Sequence, residues 1–242
     1  MYPNLALYID GQWLARDCRE TEEVINPATQ KQLGVLSHAN TADLEQALAA
    51  AEKGFKTWRA ISAYERAKIL RRAAGIIRER QDAIARTLTL EQGKIIAEAR
   101  TEVAVSADII EWYAEEGRRA YGRVIPGRVT GVRQMMFQEP VGAVAAFTPW
   151  NFPILTPARK IGGALAAGCS IIIKASEETP GSCVELVRAF ADAELPAGVL
   201  NLVFGVPSHI SEYLMASDVI RKVSFTGSVP VGKHLGKLAA GG

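Results

Sequence analysis

The sequence predicts an α/β protein: an open, mostly parallel Rossmann-like sheet with helices on both faces, preceded by a helical segment and interrupted by a β-hairpin excursion. Three features carry that expectation. Residues from about 41 to 121 place apolar side chains at helical spacing. From Val141 onward, four solid apolar runs alternate with segments long enough for crossover helices. Between these two textures, residues 122–140 are broken up by Gly and Pro.

The helices come first. In "TADLEQALAAAEKGFKTW", Leu44, Ala47, Leu48, Ala51, Phe55 and Trp58 recur on one face, with Thr41 as the N-cap candidate. In "SAYERAKILRRAAGII", Ser62 and Glu65 have capping-box spacing, and Ile69, Leu70, Ala73, Ile76 and Ile77 form the apolar face. A third helix is expected to end at Gly93, a good C-cap residue. A long fourth helix covers "KIIAEARTEVAVSADIIEWYAEEGRRAYG". The following "GRVIPGRVTGVRQMMFQEP" contains short β-prone pieces such as Arg133–Gln138 and reads as a hairpin.

The strands follow. "VGAVAAF", "SIIIK" at 170–174, "VLNLVF" at 199–204 and "KVSF" at 222–225 lack polar alternation. Strands buried on both faces have that look, and helical crossovers between them imply a parallel sheet with right-handed connections. Thr179 followed by Pro180 places a cap and a first-turn proline before "GSCVELVRAFADAEL". Gly241-Gly242 reads as the C-cap of the last helix.

Size and composition bound the function classes. A chain of 242 residues forms one large domain or two ordinary ones, and 48% hydrophobic with 22% charged residues is globular in character. A formal charge of +2 gives no basic footprint for nucleic acid. The longest apolar run, "IGGALAAGCSIII", is shorter than the roughly 20 residues that span a bilayer, so no membrane association is expected. The N-terminus lacks the n-region and h-region of a signal peptide. Cys18, Cys169 and Cys183 are widely spaced and odd in number, suggesting neither a disulfide framework nor a zinc site. A cytoplasmic protein without a metal is the expectation.

In open α/β sheets ligands bind beyond the carboxyl ends of the strands, so the residues there carry the chemistry. After "VGAVAAF" comes "TPWNFP", where two prolines fix a tight segment and present Trp150 and Asn151. Asn offers a neutral NH2 donor for a developing oxyanion. On spacing alone a Pro-rich turn around a core Trp is the plainer reading. After "SIIIK" comes "ASEETP", where Lys174 and Glu177 have the chemistry to grip a ribose; a solvated charged loop is the alternative. After "KVSF" comes "TGS": Gly227 lets backbone approach a ligand, and Ser228 leads into a helix from Val231, whose free N–H groups suit a phosphate. It is not G-x-G-x-x-G, and an ordinary strand–helix turn has the same sequence.

No P-loop and no G-x-S-x-G motif occurs. His38, His209 and His234 lie far apart with no evident acidic partner, as solvated or core histidines do. Cys169, inside "ALAAGCSIII", reads as a buried small hydrophobe. Cys18, in a charged loop, and Cys183, early in a helix, have no base nearby in sequence.

Taken in order, "FTPWNFP", "ALAAGCSIIIKASEETP", "LPAGVLNLVFG" and "KVSFTGS" resemble the NAD(P)-dependent aldehyde dehydrogenase superfamily, and "NPATQK" and "RAKILRRAA" fit it too. The resemblance covers nearly the whole chain and corresponds to the cofactor-binding half of the family fold. It implies covalent hydride-transfer chemistry: a cysteine thiolate attacks an aldehyde, hydride passes to the nicotinamide, and a glutamate-activated water cleaves the thioester. Asn151 matches the oxyanion-hole asparagine. Lys174 and Glu177 match the positions that hold the adenosine ribose, Trp150 one beside the cofactor and Ser228 one that meets the pyrophosphate. Thr148, Pro149, Ser176, Gly205, Phe225, Thr226 and Gly227 complete the implied cofactor-binding set. The acid at Glu177 implies NAD in preference to NADP, since it repels a 2′-phosphate.

The resemblance divides the chain into a NAD(P)-binding domain at 1–121 and 141–242 and part of an oligomerisation domain at 122–140, through which family members form homodimers or homotetramers. "AEEGRRAYGRVIPG" and "TPARKIGGALAAGC" look most like the succinate-semialdehyde branch, where an arginine at the Arg159 position pairs with the far carboxylate of the substrate. On the residues alone Arg159 is equally a helix-surface side chain. The family's general-base glutamate and nucleophilic cysteine fall beyond the matched stretch, and Cys18, Cys169 and Cys183 do not match the nucleophile. A fragment unable to oxidise aldehyde alone is therefore expected. The alternatives are a non-catalytic dinucleotide-binding or interaction module and a pseudo-subunit that pairs with full-length enzyme.

Overall fold

The computed structural model describes residues 2–14 and 19–241, so Cys18 and Gly242 lie outside the described residues. The four solid apolar runs form β7 (Ala143–Phe147), β8 (Ile171–Lys174), β9 (Leu200–Val203) and β10 (Ile220–Phe225). Every residue of β7, β8 and β9 is buried, which explains their lack of alternation. All four run parallel, in the spatial order β10, β7, β8, β9. Two strands that the sequence reading did not foresee extend the sheet. β1 (Leu7–Ile9) pairs antiparallel with β9, and β2 (Gln12–Leu14) pairs antiparallel with β1 across an Asp10-Gly11 turn with φ of 49° and 80°. A separate hairpin joins β3 (Thr21–Ile25) and β4 (Gln32–Ser37).

The crossovers are α5 (Leu155–Ala166) between β7 and β8, α6 (Pro180–Asp192) between β8 and β9, and α7 (Pro207–Met215) between β9 and β10. From β7 the chain steps one way to β8 and β9, then returns past β7 to β10. Right-handed crossovers put α5 and α6 on one face and α7 on the other, as a doubly wound sheet requires. The order therefore reverses between β7 and β10, and a crevice opens beyond their carboxyl ends.

The helical segment consists of α1 (Thr41–Ala60), α2 (Ala63–Glu79), α3 (Gln81–Gln92) and α4 (Ile96–Gly117). α1 lies against β9, β1 and β8 and touches α7. α2, α3 and α4 stack on the outer side of α5 and α6. Trp58 of α1 is fully buried and donates its indole N–H to the Leu165 carbonyl at 2.8 Å, which ties α1 to the end of α5. Gly54 lets α1 approach closely: a Cβ there would lie 2.3 Å from the Gly198 carbonyl carbon.

Three capping expectations are corrected. Asn40, not Thr41, caps α1; its side chain accepts from the Asp43 N–H, and Asp43 accepts from the Asn40 N–H in return. Ser62 does accept from the Glu65 N–H, but the Glu65 carboxylate turns to Lys68. Thr179 precedes α6 but forms no side-chain cap bond. As expected, Gly93 ends α3 at a φ of 86°. α8 (Val229–Ala240) starts two residues before Val231, with Ser228 at the N-cap and Gly241 at the C-cap.

Residues 122–140 form the expected hairpin, β5 (Arg123–Pro126) antiparallel to β6 (Arg133–Met136). Its side chains are largely open to solvent, including Val124, Ile125, Met135 and the adjoining Phe137. No helix among the described residues is long and apolar enough to cross a membrane.

Candidate functional site

A cleft of about 580 Å3 opens where the strand order reverses. Thr148, Pro149 and Trp150 after β7, Lys174 at the end of β8 with Ser176 and Glu177 after it, and Phe225 at the end of β10 with Thr226, Gly227 and Ser228 after it all line the cleft. Thus ten of the sequence-derived positions, drawn from three strand ends, meet in one place.

Backbone bonds hold the strand ends together. The Thr148 N–H donates to the Lys174 carbonyl and the Thr226 N–H to the Phe147 carbonyl, each at 3.2 Å. Lys174, 6% exposed, pairs with the Glu177 carboxylate at 2.6 Å. Glu177 Oε1 also accepts from the Gly205 N–H at 3.1 Å. Gly205 does not line the cleft, but it reaches the site through this bond. Its φ of 134° favours glycine, and a Cβ would lie 3.2 Å from the His38 Cβ. The Glu177 carboxylate is therefore fixed from two sides at the mouth of the cleft.

The other wall has the features of an anion cradle. Ser228 makes no side-chain bond into α8, which leaves the Val229 and Val231 N–H groups available to a ligand, Pro230 between them having none. At Gly227 a Cβ would lie 2.5 Å from the Phe225 ring, so any larger side chain must displace that ring. Thr148 Oγ1 is buried without a hydrogen-bond partner among the described residues. Glu178, Pro207, Ser208, Ser211 and His234 also line the cleft, though none was singled out as a site residue from sequence. The one available signal was Pro207, a first-turn proline two residues past Gly205.

Asn151 and Arg159 stand apart from these ten. Asn151 is exposed on the loop after β7, and its carbonyl accepts from Lys94 Nζ at 3.2 Å. Lys94 lies 4.4 Å above the Phe152 ring and pairs at 2.5 Å with Glu102, which is 4% exposed. Glu102 in turn accepts from the Ile154 and Leu155 N–H groups at 3.1 and 3.2 Å. Arg159 is exposed on α5 and lines a second cavity of about 530 Å3 with Lys160, Lys222, Ser224 and Thr226. Thr226 lines both cavities. Lys160 Nζ donates to Ser224 Oγ at 3.0 Å, and burial pushes its ammonium down to about 8.

The remaining titratable candidates sort out by position. His38 does have an acidic partner, contrary to expectation: its Nε2 lies 2.9 Å from the Glu22 carboxylate, the two brought together by β3 and β4. Cys169 and Cys183 are free and buried. Burial, reinforced by Glu91, pushes the Cys183 thiol far up, away from thiolate character.

A doubly wound sheet with an anion cradle and a fixed lysine–carboxylate pair at its switch point is the layout of a dinucleotide-binding protein. Residues 13–242 match the aldehyde dehydrogenase family. The chain is 52% identical over 234 residues to 4-(hydroxymethyl)benzenesulfonate dehydrogenase TsaD1 of Comamonas testosteroni, covering 97% of this chain and 49% of that protein. It is 42% identical over 227 residues to succinate-semialdehyde dehydrogenase [NADP(+)] GabD of Escherichia coli, covering 94% of this chain and 47% of that protein. The structure of succinate-semialdehyde dehydrogenase from Burkholderia pseudomallei superposes with a TM-score of 0.95 at 42% identity, over 98% of this chain and 49% of that one. The chain belongs to the aldehyde dehydrogenase family. It spans about half the length of the curated relatives it matches.

Proposed function

We propose that these residues form the cofactor-binding part of an NAD(P)-dependent aldehyde dehydrogenase that prefers NAD and acts on a small aldehyde with a remote anionic group. The Lys174–Glu177 pair at the mouth of the cleft carries this reading. Lys174 and Glu177 would hold the adenosine ribose hydroxyls, with the fixed Glu177 carboxylate repelling a 2′-phosphate. The α8 N-terminus, with Gly227 and Ser228, would hold the pyrophosphate. The orphaned Thr148 hydroxyl supports a polar ligand in the same cleft. When bound, the dinucleotide supplies a hydride acceptor.

The remaining roles belong to the chain itself. The Asn151 amide would donate to the oxygen of the reacting carbonyl as it gains negative charge, and the Lys94–Glu102 pair keeps its loop in place. Arg159 would pair with the far anion of the substrate, succinate semialdehyde being the leading candidate. Sulfonate is also within the class, because one named relative acts on a benzenesulfonate and another on a succinate derivative, both with a remote anion. Among the described residues the buried Cys169 and Cys183 are unsuited to attack an aldehyde, and Cys18 does not match the position of the family's nucleophile, so residues 1–242 alone would bind cofactor without turning substrate over. The exposed apolar side chains of the β5–β6 hairpin support subunit pairing in a homodimer or homotetramer. The two free, buried thiols fit a reducing cytoplasm.

Calorimetric titration of NAD and NADP into the purified chain tests the reading. NAD should bind more tightly than NADP, and Glu177→Ala should narrow the gap. Failure of both nucleotides to bind, or an unchanged preference in Glu177→Ala, would overturn it.

A further inference from the structure

Glu91 lies outside the cleft, yet it fixes one end of the loop that carries Lys174, Ser176 and Glu177. It belongs to the last turn of α3 and is 3% exposed. Its two carboxylate oxygens accept from the Gly181 N–H at 2.8 Å and the Ser182 N–H at 2.7 Å, and Tyr2 donates its hydroxyl at 2.6 Å. The residue that should cap α6 by sequence, Thr179, leaves its hydroxyl buried and unpartnered among the described residues. A carboxylate about 90 positions earlier in the chain caps the helix instead. Gly181 makes this possible: a Cβ there would lie 2.9 Å from both the Glu91 carboxylate and the Tyr2 hydroxyl.

The same arrangement recurs at α5. That helix also lacks a side-chain cap of its own, and Glu102 of α4 accepts from its first N–H groups. Two of the three helices that follow a ligand-bearing strand end, α5 and α6, are thus capped by acids from the outer helical layer. Residues 175–180 are strung between the end of β8 and the Glu91-capped start of α6. Lys174 is anchored by the sheet, and Glu177 by Lys174 and the Gly205 N–H. With Glu91 in place neither end of this short segment is free to shift.

We propose that Glu91, supported by Tyr2, is a positioning residue for the nucleotide site: it sets the ribose loop by capping α6. This rests on the nucleotide-binding reading above. Gln at position 91 keeps one acceptor oxygen but turns an NH2 toward an amide N–H, so one cap bond is lost and the helix start moves. Glu177 then loses its register against the ribose, and its repulsion of a 2′-phosphate relaxes.

The test is calorimetric titration of NAD and NADP into the wild-type chain, Glu91→Gln and Tyr2→Phe, with melting temperatures measured alongside. Loss of a buried cap bond is expected to weaken NAD about tenfold in Glu91→Gln, with NADP changed no more than about twofold. The NAD-to-NADP preference should therefore collapse in a protein that still melts cooperatively. Tyr2→Phe, which spares both amide bonds, should weaken NAD by about threefold and leave NADP unchanged. It decides the question if Glu91→Gln does not fold. A Glu91→Gln protein, or failing that a Tyr2→Phe protein, that is less stable but keeps the wild-type NAD-to-NADP ratio would overturn the positioning role while leaving the nucleotide reading intact. A wild-type chain that binds neither nucleotide overturns both.

Discussion

Lys94 and Asn151 stand 57 residues apart in sequence, yet the Lys94 ammonium donates to the Asn151 carbonyl at 3.2 Å while pairing with Glu102 at 2.5 Å. The ion pair is almost wholly buried, with side-chain exposures of 11% and 2%. Removing one member of a buried pair leaves an uncompensated charge, which typically costs about 3–5 kcal/mol. Lys94→Met should therefore lower unfolding free energy in urea by about 3 kcal/mol. It should also loosen the Asn151 loop, seen as faster hydrogen exchange at Ile154 and Leu155, whose N–H groups bond to Glu102.

Glu91 makes stability depend on pH. Burial raises its carboxyl from 4.5 to about 7, outweighing the hydrogen bonds that pull it down. A folded-state value above the unfolded one means that the folded protein binds the proton more tightly. The stabilisation is complete below about 4.5 and is lost as pH rises through 7. The interval corresponds to at most roughly 3 kcal/mol. The melting temperature should fall between about pH 4.5 and pH 7 and level off above that, and Glu91→Gln should flatten the slope.

Gly227 separates binding from folding. Its missing side chain is occupied by the Phe225 ring, and both residues line the cleft. Gly227→Val should push the ring toward the ligand and weaken NAD by about tenfold or more, with a melting temperature within a few degrees of wild type. Equal losses of affinity and stability would mean that the turn is structural.

Gly54 is the converse case. A methyl group there meets backbone, not a movable side chain, 2.3 Å from the Gly198 carbonyl carbon. Gly198 is itself held at a φ of 78°. Gly54→Ala should destabilise the fold by about 2 kcal/mol or more, despite the better helix propensity of alanine. Denaturant titration measures this directly.

Much of this architecture was legible because burial leaves a simple signature. Strands β7, β8 and β9 are wholly buried and read as solid apolar runs. β1 was missed although Asp10-Gly11 is a strong hairpin signal; with three residues on each side, its strands carry too little pattern to count. The cleft was legible wherever its residues follow strands directly. Ser208, Ser211 and His234 sit on α7 and α8, and only the fold turns them inward. The capping acids were the least visible. Glu91 and Glu102 look like ordinary helix-surface charges, and their partners are helix starts contributed by distant segments. A local rule that assigns the cap to Thr179 cannot see a carboxylate arriving from another helix.

The most direct test is a crystal structure of the chain with NAD bound. The adenosine ribose hydroxyls should lie within hydrogen-bonding distance of Lys174 and Glu177, and the pyrophosphate against Ser228 and the first turn of α8. A dinucleotide seated elsewhere, or a ribose out of reach of Glu177, would contradict it.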